Sequence, residues 1–139
     1  MEELECTKIE KKEYWPPALI CHTAVLNPET KKMYVFGGLA KYKTSSYLYE
    51  LDLTTLEWKR IDIQEPSPAP RSSHAAVFYQ GAMIVYGGKN ADGDMLGDIW
   101  ELNLTDFTWK QYELAGEAPK VVWLLSIASI WTFDGCSRR

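Results

Sequence analysis

Ile84-Val85-Tyr86-Gly87-Gly88 decides how this chain folds, because the same five positions stand earlier as Tyr34-Val35-Phe36-Gly37-Gly38, at an offset of 50. The match extends outward on both sides. His22-Thr23-Ala24-Val25 returns as His74-Ala75-Ala76-Val77 at an offset of 52. Leu48-Tyr49-Glu50-Leu51-Asp52-Leu53 returns as Ile99-Trp100-Glu101-Leu102-Asn103-Leu104, and Trp58-Lys59 as Trp109-Lys110, both at 51. Four ordered landmarks at one period define a tandem repeat, which constrains architecture more than any single motif.

Within each unit, β-branched and aromatic residues form short runs bounded by Gly, Pro, Asn and Asp, the pattern of short strands. In the second unit, strands are expected near Ala75 to Tyr79, Met83 to Tyr86, Asp98 to Leu104 and Trp109 to Leu114. Gln80-Gly81 makes the tight turn between the first two. Gly87-Gly88 ends the second strand, where a backbone with positive φ must start a longer loop. Thr105-Asp106 turns the third strand into the fourth. Each unit therefore reads as a four-stranded antiparallel meander, and the fold class as all-β.

These landmarks closely resemble the kelch repeat, whose signature is a double glycine after a hydrophobic strand, then a Tyr or Trp, then a Trp at fixed distances. Here those are Gly37-Gly38, Tyr49 and Trp58, and again Gly87-Gly88, Trp100 and Trp109. The resemblance runs from about Pro17 to Lys120, and its period fits the roughly 50 residues of a kelch unit. It implies blades of a β-propeller, each one four-stranded sheet around a central channel. Residues 1–16 then form a charged N-terminal segment, 17–68 the first blade, 69–120 the second, and 121–139 an apolar tail outside the repeat. Tyr49, Trp58, Trp100 and Trp109 are expected to pack between blades, because each face of a twisted sheet must be covered by a neighbour.

A kelch propeller of six or seven blades needs on the order of 300 to 350 residues at this period. Two blades therefore read as a fragment, a truncated product, or a protomer that completes its propeller with other chains. Trp123 stands where the repeat calls for a His, and Leu124 to Ile130 has neither turn nor double glycine. That apolar tail is expected to lie against the open face of the second blade or to drive aggregation.

The 139 residues are 46% hydrophobic, 13% aromatic and 24% charged, with a net charge of −4, the composition of one ordinary globular domain. This balance offers no basic footprint for nucleic acid or anionic lipid, so neither is an expected partner. The longest apolar stretch, Val121 to Phe133, is broken by Ser126, Ser129 and Thr132 and falls short of the roughly 20 residues a bilayer crossing takes. Glu2, Glu3, Glu5, Glu10 and Glu13 stand where a secretory signal needs a basic start and an apolar run. Cys6, Cys21 and Cys136 fit neither a zinc spacing nor a disulfide framework, which favours a reducing compartment, cytoplasmic or nuclear.

Asn90-Ala91-Asp92-Gly93-Asp94 with Glu101 imitates a calcium-binding loop, but its sixth position is Met95 where glycine is needed, and its flanks read as strands. It is better read as a solvated loop. His22 and His74 occupy equivalent points before the first strand of each unit, which favours a hydrogen-bonded structural role over catalysis or metal binding. Glu65 to Pro70 reads as a stiff link between blades rather than a polyproline ligand. Neither double glycine continues into a phosphate-binding loop.

In kelch propellers, the connection between blades and the loop after the double glycine open on one face, and the resemblance implies a partner-binding surface there. Its candidates are Arg71, Ser72 and Ser73 in the connection, Lys41, Tyr42 and Ser45 in the first loop, and Asn90, Asp92 and Asp94 in the second. Arg71 carries two readings, a fork for a partner carboxylate or a tie from one blade's loop to its neighbour's backbone. The expected function is a non-enzymatic module that binds a protein partner, as in kelch adaptors and scaffolds, with self-association through exposed blade faces. No catalytic residue, metal or cofactor is called for. The alternatives are part of a kelch enzyme with loop-borne metal or isomerase chemistry, and a nonfunctional truncated product.

Overall fold

A computed structural model describes residues 5–113. Alternation of apolar and polar residues, punctuated by turn formers, gives ten strands. They are β1 (Thr23–Asn27), β2 (Lys32–Phe36), β3 (Leu39–Ala40), β4 (Lys43–Thr44), β5 (Leu48–Asp52), β6 (Glu57–Ile61), β7 (Ala75–Tyr79), β8 (Ala82–Tyr86), β9 (Ile99–Asn103) and β10 (Trp109–Tyr112). Two antiparallel four-stranded sheets result, β1-β2-β5-β6 and β7-β8-β9-β10, joined at β1 and β7, with β3-β4 a separate small hairpin. The fold of the described residues is all-β, two kelch-type blades, and these residues form no closed propeller. The described residues include no helix long and apolar enough to cross a membrane.

In the second unit β7 lies where the sequence puts it, β8 begins one residue earlier, and β9 is one residue shorter at each end. The expected end of β10 at Leu114, and the tail from Val121, lie outside the described residues. Gln80 and Gly81 both have positive φ (46° and 79°), the geometry a two-residue hairpin turn needs to follow strand twist. The Leu39 to Tyr47 segment, expected as a loop, contains the β3-β4 hairpin. Two-residue strands are too short to show alternation in sequence.

Cross-strand register fixes which side chains share a face. Val25 pairs with Tyr34, and Phe36 with Leu48, so all four point to one side of the first sheet. Val85 pairs with Trp100, and Met83 with Leu102 and Leu102 with Trp109, on one side of the second. These two sides face each other and form the core. Phe36 meets the Trp109 ring at 5.0 Å and the His74 ring at 5.4 Å, while Trp100 and Trp109 stack edge to face at 6.4 Å. Such aromatic pairs add about 0.5–1.5 kcal/mol each beyond their burial. Trp100 and Trp109 thus pack between the sheets as expected. Tyr49 and Trp58 sit on the far side of the first sheet, where the N-terminal segment brings Trp15 edge-on to Trp58 at 6.2 Å. Lys12 anchors that segment on Glu57 (3.5 Å).

Candidate interaction face

Antiparallel strands send their connections alternately to two ends of a sheet. The β2-to-β5 segment, the connection from β6 to β7, and the β8-to-β9 segment therefore all emerge at one end. Backbone hydrogen bonds fasten them together. The Gly38 N–H donates to the Arg71 carbonyl (2.8 Å), the Arg71 N–H to the Ser45 carbonyl (3.1 Å), and Ser72 and Lys89 exchange a pair (3.0 and 2.8 Å). The double glycines permit this approach. A Cβ at Gly37, whose φ is +66°, would lie 2.6 Å from the Arg71 carbonyl oxygen, and one at Gly88, φ +97°, 2.7 Å from that of Ser72.

Arg71 is fully buried, at 0% exposure. Its guanidinium forks onto the Asp98 carboxylate through two bonds of 2.8 Å and also donates to the carbonyls of Gly87 (3.0 Å) and Ala69 (3.2 Å). Asp98 in turn accepts the Trp100 indole N–H at 2.6 Å. Burial pushes the Asp98 carboxyl up, but the Arg71 fork and the Trp100 bond outweigh it and hold it below the usual carboxylate range. The Arg71 side chain is spent within the second unit, binding the connection to the β8-to-β9 segment at Gly87 and Asp98, and offers a partner no surface; its backbone, through Gly38 and Ser45, is what joins the neighbouring blade. In the first unit the equivalent positions are Leu19 and Tyr47, so the pair is replaced as a pair.

His74 is buried, and its Nε2 lies 2.6 Å from the Thr23 hydroxyl of the neighbouring sheet, while its Nδ1 has no hydrogen-bond partner among the described residues. Desolvation, with the Arg71 charge beside it, lowers its pKa from 6.5 to about 4. This imidazole is a neutral link between blades. His22, its sequence equivalent, is exposed.

The remaining candidates divide between interior and surface. Ser72 is buried, and so is Ser45, whose Oγ accepts the Tyr47 N–H (3.0 Å). Ser73 is exposed. Asn90 closes its own loop, its Oδ1 accepting the N–H groups of Asp92 and Asp94 (both 2.9 Å) and its Nδ2 donating to the Asp94 carboxylate (3.1 Å). Asp92 and Asp94 are left at the surface. Lys41 and Tyr42 form the tip of the β3-β4 hairpin, and Tyr42 is fully exposed, at 103%. Both have positive φ, 47° and 69°. A two-residue turn of this kind favours Asn-Gly or Gly-Gly, because side chains with a Cβ are strained there. The structure therefore brings Arg71 and Ser72 together with Ser45 as buried framework, and sets Lys41, Tyr42, Asp92 and Asp94 on the surface it supports.

The KLHDC2/KLHL20/DRC7 Kelch-repeats domain matches residues 1–131, and the chain belongs to the kelch-repeat family. It is 33% identical over 120 residues to host cell factor homolog hcf-1 of Caenorhabditis elegans, covering 75% of this chain and 15% of that protein. Over 107 residues it is 33% identical to host cell factor 1 of Homo sapiens (63% of this chain, 5% of that one). Over 97 residues it is 33% identical to Kelch domain-containing protein 3 of Bos taurus (63% and 25%). The chain thus spans a quarter or less of the length of these relatives.

Proposed function

We propose that this chain is a protein-binding kelch module whose contact surface is the loop end of the two sheets, centred on the β3-β4 hairpin tip. The observation that carries this reading is Tyr42, a fully exposed aromatic held at a turn position that disfavours it. Backbone strain and an exposed ring at one tip mark a binding anchor, since aromatic residues dominate binding energy at interfaces. Lys41 and Lys43 flank the ring, and Asp92 and Asp94 stand on the next loop, so the surface offers both charges to a partner. The module is non-enzymatic in this reading, because Arg71, His74 and Asp98, the groups chemistry would draw on, are committed to holding the connection. A cytoplasmic or nuclear setting suits Cys6 and Cys21, both exposed free thiols.

Quantitative affinity capture from cell extract tests the reading. Proteins retained by the wild-type chain should fall about tenfold or more with Tyr42→Ala, as expected for losing an interface anchor. They should persist with Thr54→Ala at the opposite end. Equal loss with both variants, or with neither, contradicts it.

A further inference from the structure

Ser67-Pro68 is the only Ser-Pro or Thr-Pro dipeptide in the 139 residues. It stands in Pro66-Ser67-Pro68-Ala69-Pro70, on the link between the two sheets, and residues 62–70 lie outside every strand. Among the described residues, no backbone-to-backbone hydrogen bond holds 62–70 to either sheet. Ser67 is half-buried, with Glu65, Pro66, Ala69 and Pro70 exposed around it, while Pro68 packs inward and is buried. Lifting Ser67-Pro68 away from the sheets therefore breaks packing at Pro68 but no ladder bond. A segment so held opens locally without unfolding the sheets, and can present its serine to an enzyme in extended form.

The charges around Ser67 favour a change of partner once it becomes an anion. Glu65 holds it in its present form, one carboxylate oxygen accepting the Ser67 hydroxyl and the other its backbone N–H, both at 2.9 Å. Beside them opens a cavity of about 210 Å³, lined by Ser67 and Glu65 on one hand and by Ser46, Tyr47, Arg60 and Asp62 on the other. The Arg60 guanidinium lies 5.0 Å over the Tyr47 ring, and among the described residues its ion-pair partner is Asp62 at 3.8 Å, with both side chains exposed. A surface pair of that kind contributes little, so Arg60 can exchange its carboxylate for a stronger anion. A phosphoryl group brings a charge of about −1.5 to −2 and three acceptor oxygens, which Glu65 repels and an arginine attracts.

We propose that Ser67 is a phosphorylation site for a proline-directed serine/threonine kinase, and that its phosphoryl group leaves Glu65 and docks on Arg60 in the adjoining cavity. In the modification the Ser67 Oγ attacks the γ-phosphorus of the kinase's nucleoside triphosphate. A new Oγ–P bond forms, the bond from that phosphorus to the β–γ bridging oxygen breaks, and the nucleoside diphosphate leaves. The hydroxyl proton passes to the catalytic base of the kinase. The phosphorylated link is then pinned to the end of β6. The inference rests on the link and its cavity and is independent of the partner reading of the hairpin tip.

Incubation of the full chain with a mitogen-activated protein kinase and labelled ATP, followed by site mapping with mass spectrometry, tests the first part, and circular dichroism melts establish that each variant folds. About one phosphoryl group per chain should appear on Ser67, and none on Ser67→Ala. Phosphorus NMR titration of the product tests the docking. The phosphate should lose its second proton below the ordinary pKa of about 6 in the wild-type chain, and about half a unit or more higher in Arg60→Gln, because a facing cation favours the dianion. Label elsewhere in the chain, or label on Ser67 only after thermal unfolding, overturns the modification site. A phosphate that titrates alike in wild type and Arg60→Gln overturns the docking on Arg60.

Discussion

Arg71→Ala should destabilise the chain severely while leaving the exposed hairpin tip chemically unchanged. The guanidinium is 0% exposed and makes four hydrogen bonds, two of them to Asp98, whose side chain is 24% exposed. Removing one member of a buried ion pair costs about 3–5 kcal/mol, because the other is left desolvated and uncompensated. Water can reach Asp98, and Trp100 still donates to it, which places the loss near the lower end, about 3 kcal/mol. Against a total stability of roughly 5–15 kcal/mol, that lowers the melting temperature by on the order of 15 °C for a domain of this size. The assay is a denaturant titration of wild type, Arg71→Ala, Asp98→Ala and the double variant. Coupling between the two positions should reach about 2 kcal/mol, as for contacting residues in one network. Arg71→Lys should restore little of it, since an ammonium cannot fork onto the carboxylate. A loss below about 1 kcal/mol, or additive single effects, would refute the role of Arg71 as the tie between the loops.

The His74 pKa is lowered from 6.5 to about 4, so the unfolded chain takes up a proton before the folded one as pH falls. Stability should therefore lose roughly 3 kcal/mol to His74 between about pH 6.5 and pH 4, with the lowered Asp98 carboxyl extending the decline at more acid pH, and a flat profile from pH 6.5 to 4 in denaturant titrations would contradict the buried neutral imidazole. Replacing Lys41-Tyr42 by Asn-Gly should raise stability by about 1 kcal/mol by relieving the positive-φ strain, while capture of partners falls; a destabilised hairpin variant would count against the strain argument. Gly37→Ala should cost about 2 kcal/mol or more, because its Cβ would meet the Arg71 carbonyl at 2.6 Å in a left-handed backbone, and a melting temperature equal to wild type would dismiss that approach.

Much of the fold was legible because its determinants are local. Each double glycine marks a strand end, Gln80-Gly81 marks a turn, and the repeat fixes their order. The hairpin at Leu39 to Thr44 was not, since its turn residues are Lys41-Tyr42 rather than Asn-Gly. Within the candidate site, the loops and Tyr42 were readable from composition, but the fate of Arg71 depended on Asp98, 27 residues away in sequence. One signal would have found it: the first unit replaces both members together, with Leu19 and Tyr47. Ser45 reads as a loop serine, yet a local turn buries it. Trp15 lay hidden in a segment whose charge dominates its composition, although it reaches Trp58 on the sheet.

In the proposed reading, the loop end of the sheets, with Tyr42 at its tip, is where this kelch module meets another protein. Site-specific photocrosslinking in cells tests it most directly, with a photoreactive phenylalanine analogue at Tyr42 and, separately, at Thr54 on the opposite turn. Discrete crosslinked protein species should form from position 42 and none of them from position 54. The same species at both positions, or from position 54 alone, would contradict it.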